Sequence, residues 1–435
     1  VKDMRVELNE YLRDFFKSAV EEARKSDIKG YIFADGDIPA RSFLELLGKH
    51  HIRVQSLQEN MNVNGRTYQS GHAFFVPTEQ AQYRLVRGIF ERTTSFQDSI
   101  FYDISAWTLP DAFGLDWAPV PAKNFNGRAL QEGVAIVSLN PPAVIDGGIP
   151  YAFAIPPTGY EYPKVLAKLL RSGLRIRVAM ESFASGGQTY APGTLIIAAD
   201  RQTKSAGEFI AIMNDLAGNG VPISYIENGL TGSGPDLGSS QFPVVRPPKI
   251  LMLTGDGVNI ADAGEIWHQF DTRYEQPITL VEQSRFSSLN LTKYNVLILP
   301  DGNYGSLPLE KVRQFAQEGG TIIATGKALT WLKTSGLAPV EFRKTSESKN
   351  VPRSYSNLEE DKAAMTMSGA IFEANLDLTH PICFGYTKTT LPVFLGDTLF
   401  VTPGKNPYST PVTFTEKPLL AGYIHPKELP LVSKA

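Results

Sequence analysis

Cysteine is nearly absent. Cys383 is the one thiol in 435 residues, which excludes an intrachain disulfide framework and a cysteine-rich zinc site. Histidine is scarce too, with six in all, so a metal centre has few imidazoles to draw on. No apolar run approaches the roughly 20 residues that a membrane-spanning helix needs. Charge of one sign is also missing: 42 Lys and Arg face 45 Asp and Glu, a formal net charge of −3. Without a basic excess, no nucleic-acid partner held by phosphate neutralisation is expected. What is present is a globular composition, 42% hydrophobic and 20% charged, which rules out wholesale disorder. At about 100–200 residues per domain, the length implies two to four domains. The chain opens with Val1 and carries no export signal, and the reading is a fragment whose start lies upstream.

Residues 1–28 are expected to form an N-terminal linker helix. Leu12, Phe15, Phe16, Ala19, Val20 and Ala23 recur at three- and four-residue spacing between charged residues, the pattern of an amphipathic helix. An internal repeat follows. Tyr31-Ile32-Phe33, Leu46-Leu47, Ile52-Arg53-Val54, Gly65 to Gly71 and Ala73 to Pro77 make the first copy. Tyr151-Ala152-Phe153, Leu169-Leu170, Ile176-Arg177-Val178, Gly187 to Gly193 and Thr194 to Ala198 make the second. Each copy has the order strand, helix, strand, glycine-bracketed turn, strand, helix. We therefore expect two small α/β units at 29–120 and 121–230. A Gly/Ser/Pro stretch at 231–248 is expected to be a linker. From 249 to 435 continuous apolar strands alternate with helices: Lys249 to Thr254, Ala261 to Tyr274, Asn295 to Pro300, Pro308 to Glu318 and Thr321 to Thr325. That alternation implies a doubly wound parallel sheet covered on both faces.

Ligands of such sheets gather beyond the carboxyl ends of the strands. Asp256 and Gly257, Asp301, Gly302 and Tyr304, and Gly326 and Lys327 occupy that place, and are the candidate ligand pocket. Each aspartate could equally cap a helix, and each glycine could make a tight turn. The run Thr321 to Leu332 resembles the strand–elbow–helix of class I glutamine amidotransferases, whose cysteine sits on the strained turn. The aligned position is Gly326, which carries no nucleophile. Cys383, with His380 beside it, reads as a buried structural residue. His425-Pro426-Lys427-Glu428 matches His-x-x-Glu but lacks a third ligand, and the His50-His51 pair reads as one satisfied and one exposed imidazole. Tyr102, Trp107 and Trp117 fall in a dense aromatic segment, either a sugar or peptide platform or packing between units. No catalytic or metal residue is assigned to this chain.

Several segments taken together resemble one known arrangement. They are Phe74-Phe75-Val76-Pro77, Phe101 to Pro110, Gly255-Asp256-Gly257-Val258, Leu299 to Tyr304, Gly319 to Ala324, and His380-Pro381 with Phe384-Gly385-Tyr386. The set is similar to the region following the catalytic domain in large bacterial zinc carboxypeptidase-like proteins of the M14 peptidase family. The resemblance implies two repeated α/β units followed by a flavodoxin-like, amidotransferase-like domain without the amidotransferase triad. It implies a secreted or periplasmic parent with its zinc in an upstream peptidase domain, and for this chain an accessory role towards peptide or peptidoglycan-like substrates. Two other functions stay open: a small-molecule-binding or hydrolytic enzyme at Asp256 and Asp301, and a carbohydrate-binding module.

Overall fold

The structure, a computed structural model, describes residues 3–35, 38–96, 108–132, 148–157, 159–343, 353–396 and 399–433. Helix α1 (Arg5–Lys25) buries Ala19 and Ala23 against Tyr83. In its first half Val6, Leu8, Tyr11 and Leu12 are exposed, and Phe15, also exposed, carries the Arg84 guanidinium 4.4 Å from its ring centroid. The apolar stripe anticipated from Leu12 to Ala23 is thus buried only at its C-terminal end, where small alanines let the helix approach.

The first unit contains β1 (Ile28–Ala34), α2 (Ile38–Lys49), β2 (Gln55–Leu57), β3 (Met61–Val63), β4 (Arg66–Tyr68), β5 (Ala73–Pro77), α3 (Tyr83–Phe90), α4 (Leu109–Ala112), β6 (Trp117–Pro121) and β7 (Leu130–Glu132). Its antiparallel sheet runs β6-β1-β5-β2-β7. Strands β1 and β2 are therefore parallel with β5 slotted between them, as are β5 and β6 around β1. This is the split β-α-β arrangement, used twice. Alternation along the strands sends Tyr31, Phe33, Phe74 and Val76 to the helix face and Ile32, Ala73 and Phe75 to the β3–β4 hairpin face.

The second unit has β8 (Ala152–Ile155), α5 (Tyr162–Arg171), β9 (Arg177–Val178), β10 (Phe183–Ser185), β11 (Gln188–Tyr190), β12 (Leu195–Ala198), α6 (Ala206–Gly218) and β13 (Ser224–Ile226). Its order, β13-β8-β12-β9, repeats the first unit position by position. A glutamine clamp recurs as well. Gln80 accepts from Arg53 N at 2.7 Å and donates to Pro77 O at 2.6 Å, and Gln202 accepts from Arg175 N at 2.8 Å and donates to Ala198 O at 2.7 Å. Both hairpins turn through two consecutive positive φ angles, Asn64-Gly65 at 54° and 80° and Gly186-Gly187 at 59° and 79°, the requirement of a type I′ turn.

Residues 231–248 are not slack. Val178 N donates to Pro243 O, Val245 N to Ile176 O and Met180 N to Gln241 O, while Leu237 and Phe242 are buried. The stretch lies along β9 as β7 lies along β2, so the expected linker completes the second copy of the repeat. Its Gly and Pro content marks an irregular edge strand, which needs few ladder hydrogen bonds.

The third region holds β14 (Ile250–Thr254), α7 (Ile260–His268), β15 (Ile278–Glu282), β16 (Val296–Leu299), α8 (Leu309–Gln317), β17 (Thr321–Ala324) and α9 (Lys327–Thr334). The sheet is parallel throughout, in the order β15-β14-β16-β17. Leu251, Leu253, Leu297 and Leu299 face α8 and α9, whereas Ile250, Met252 and Ile298 face α7. The expectation of cover on both faces holds for the two central strands. Leu280 and Ile323, on the flanking strands, are 45% and 44% exposed, because α7 is the one helix packed on their side among the described residues.

Beyond it, α10 (Leu358–Ala364) leads to β18 (Ala370–Leu376), β19 (Thr390–Leu395) and β20 (Val412–Ala421), followed by α11 (Leu429–Val432). These strands form their own antiparallel sheet, β19-β18-β20, over a core of Ala370, Phe372, Phe400 and Ile424. They do not extend the parallel sheet.

Candidate functional site

The order of the parallel sheet reverses between β14 and β16, so the ligand crevice of such a fold would open there. Here the two loops have closed on each other. Val258 bridges Gly302, Asn303 N donates to Gly257 O at 2.7 Å, and Asn259 N donates to Asp301 O at 2.7 Å. The approach depends on Gly302, where a Cβ would lie 2.6 Å from Gly257 O. Gln283 Nε2 ties the loops from the third side, donating to Asp256 O and Asn303 O, and leaves its own Oε1 buried without a partner. Asp256 itself is exposed, and the cap of α7 is Asn259, not Asp256. Tyr304 is fully buried, and its hydroxyl donates to Pro300 O at 2.8 Å. Burial, with Asp301 nearby, pushes its phenol far above the usual range. It is a core residue.

Gly326 sits on the turn between β17 and α9 at φ 52° and ψ −131°, a conformation that favours glycine. The turn from strand to helix thus carries no side chain at its apex. The space that a side chain would use is already filled, since a Cβ at 326 would lie 2.5 Å from Asp301 Oδ1. That oxygen accepts from Lys327 N at 2.7 Å. Asp301 therefore caps α9, the helix after the neighbouring strand, and satisfies a free N–H at its positive end. The side chain of Lys327 is exposed.

The other singled-out residues stay apart. Tyr102 and Trp107 lie outside the described residues. Trp117 packs against Phe90 and Tyr31, donates from Nε1 to Asp111 at 2.8 Å, and carries the Arg92 guanidinium 4.8 Å from its ring centroid. Its ring is engaged in packing. Cys383 is buried, with its Sγ 4.0 Å from Pro411 O, and burial pushes its thiol up, away from the reactive thiolate. His380 instead accepts from Ile382 N through Nδ1. His425 likewise accepts from Lys427 N, and Glu428 is buried with Oε2 unpartnered. His50 and His51 are both exposed. Among the described residues no three His, Cys, Asp or Glu side chains converge as a metal site requires.

A cleft of about 580 Å³, which no local sequence pattern signals, lies where the regions meet. One wall comes from Asp111 and 113–117 of the first unit, another from Pro157, Gly159, Tyr160, Tyr162 and Pro163 of the second, a third is Tyr274, and the last is Glu373 with 384–388 and 390–392. Several contacts hold these walls together. Glu275 accepts from Lys164 at 2.7 Å and pairs with Arg171, Gly422 N donates to Thr93 O at 2.8 Å, and a Cβ on Gly193 would lie 2.8 Å from Phe384 Cβ. Inside, Asp111 is buried and fully engaged by Arg92 Nε at 2.9 Å, Arg92 Nη2 at 2.5 Å and Trp117. Asp116 pairs with Arg66. Glu373 is half-buried on the central strand β18, with no hydrogen-bond or ion-pair partner among the described residues.

Compared with protein-family models, with curated proteins and with solved structures, the chain returned no match. What the coordinates define is a mixed α/β protein with a four-stranded parallel sheet.

Proposed function

We propose that the chain is a non-catalytic accessory region of a secreted metallocarboxypeptidase of the M14 type that it resembles, with the zinc and the peptidase centre in an upstream domain. One observation carries this reading. At the elbow, where an amidotransferase mounts its cysteine, Gly326 has no side chain, and the Asp301 carboxylate stands in the space for one. The strand order supports a flavodoxin-like origin for that domain, since β15-β14-β16-β17 is the flavodoxin-like order through four strands. The exposed Val6, Leu8, Tyr11 and Leu12 of α1 support an interaction role, because contiguous exposed apolar residues mark contact surfaces; the proposed partner is the peptidase domain. The rival enzyme reading is weakened because Asp301 already spends its carboxylate on α9. The carbohydrate reading loses the Trp117 ring to Arg92.

The test compares this chain with a longer polypeptide that includes the upstream domain. The longer form should bind zinc stoichiometrically and release C-terminal residues from peptides, and the shorter should do neither. Turnover by the shorter form, or a longer form without peptidase activity, overturns the reading.

A further inference from the structure

We propose that the cleft between the regions is a binding site for an organic ammonium cation, with Glu373 as its counter-ion and tyrosine rings as its walls. The argument starts from charge. Of the carboxylates that line the cleft, Asp111 is neutralised by Arg92 and Asp116 by Arg66. Glu373 alone among these three has no partner among the described residues, although it is half-buried in the middle of a sheet. A carboxylate so placed is costly unless a cation or donor meets it. Lys388, the other cation of the lining, is exposed.

The walls supply the second half of the site. Tyr274, Phe384 and Tyr386 share the lining with Glu373, while the ring of Tyr160, also in the lining, is taken by Arg273. Tyr386 and Tyr274 stand close enough that Tyr274 adds to the upward push that burial gives the Tyr386 phenol. The raised Tyr386 phenol stays neutral near pH 7, and aromatic π-faces attract cations. The cleft already shows this affinity, since Arg92 lies over Trp117 at 4.8 Å and Arg273 over Tyr160 at 5.8 Å. An alkylammonium group with an apolar body matches an aromatic wall and a single negative charge, whereas an anion would meet Glu373 unscreened. The strand pattern fixes the geometry: Ala370 and Phe372 enter the core, so Glu373 points to the opposite face.

The probe is choline, titrated calorimetrically into the whole chain, against neohexanol, its uncharged carbon isostere. Choline should bind with one site per chain, and neohexanol about tenfold more weakly or worse. Glu373→Gln should weaken choline by about tenfold while leaving neohexanol unchanged. Tyr386→Leu, at a half-exposed position that tolerates change, should weaken choline as well and guards against a folding defect in the first variant. Absence of choline binding, equal affinity for the two probes, or an unaltered Glu373→Gln variant overturns the proposal.

Discussion

Replacing Gly326 by alanine tests the elbow directly. A left-handed φ costs a non-glycine residue about 1–2 kcal/mol. The new Cβ would also sit 2.5 Å from Asp301 Oδ1, so the carboxylate must leave Lys327 N, and loss of such a cap costs about 1 kcal/mol. Gly326→Ala should therefore destabilise the parallel-sheet region by about 2–3 kcal/mol. Asp301→Ala alone loses only the cap. In the double variant the cap is lost once, so its cost should fall about 1 kcal/mol short of the sum of the singles. Hydrogen exchange of the α9 amides, followed through urea, confines the measurement to this region and avoids assuming that all units unfold together. Strict additivity, or a Gly326→Ala cost below about 0.5 kcal/mol, would refute the picture of the Asp301 carboxylate filling the space of a side chain at 326.

Tyr304→Phe removes one buried hydroxyl bond to Pro300 O and should cost about 1 kcal/mol in urea unfolding; a neutral result would mean that the hydroxyl is not held as described. Glu428 is raised by burial above its ordinary 4.5, so the folded state holds its proton more tightly than the unfolded chain does. Its contribution therefore favours folding at low pH and is lost as pH climbs from about 4.5 through the raised value. Glu428→Gln should match the parent in acid and exceed its melting temperature near pH 7, and a gap that narrows with rising pH would contradict this.

The repeat was legible in the sequence, but its register was not. Pairing Tyr31-Ile32-Phe33 with Tyr151-Ala152-Phe153 maximises identity. The hydrogen bonds align otherwise. Ser56 and Phe33 both pair with Phe74, while Val178 and Ile155 both pair with Leu195. Phe33 therefore corresponds to Ile155, and Ser56 to Val178, each two residues from the match by letters. A slip of two leaves every side chain on its own face, so hydrophobic alternation cannot detect it. The paired clamps of Gln80 and Gln202 fix the register, but a lone glutamine carries no periodic signal. The stretch 231–248 misled for a related reason: Gly and Pro suit a linker and an irregular edge strand alike.

Candidate-site residues were legible in proportion to how local their roles are. Gly326 and Asp301 stood out because β-strand endings and glycines are visible in sequence, yet their mutual contact crosses from one strand end to the next. The cleft was invisible because its walls are drawn from residues as far apart as Phe113 and Tyr386, and no local pattern links them. The two features are physically connected. Gly302 lets the β14 and β16 loops close to bridging distance, and any side chain there would meet Gly257 O at 2.6 Å and prise them open. With the switch point closed by its own backbone and the turn filled by Asp301, exposed Asp256 is, among the described residues, the one carboxylate of that crevice not held by a neighbour. Concave surface bearing a carboxylate without a partner among the described residues, Glu373, lies instead where separate units meet, a common place for ligand sites.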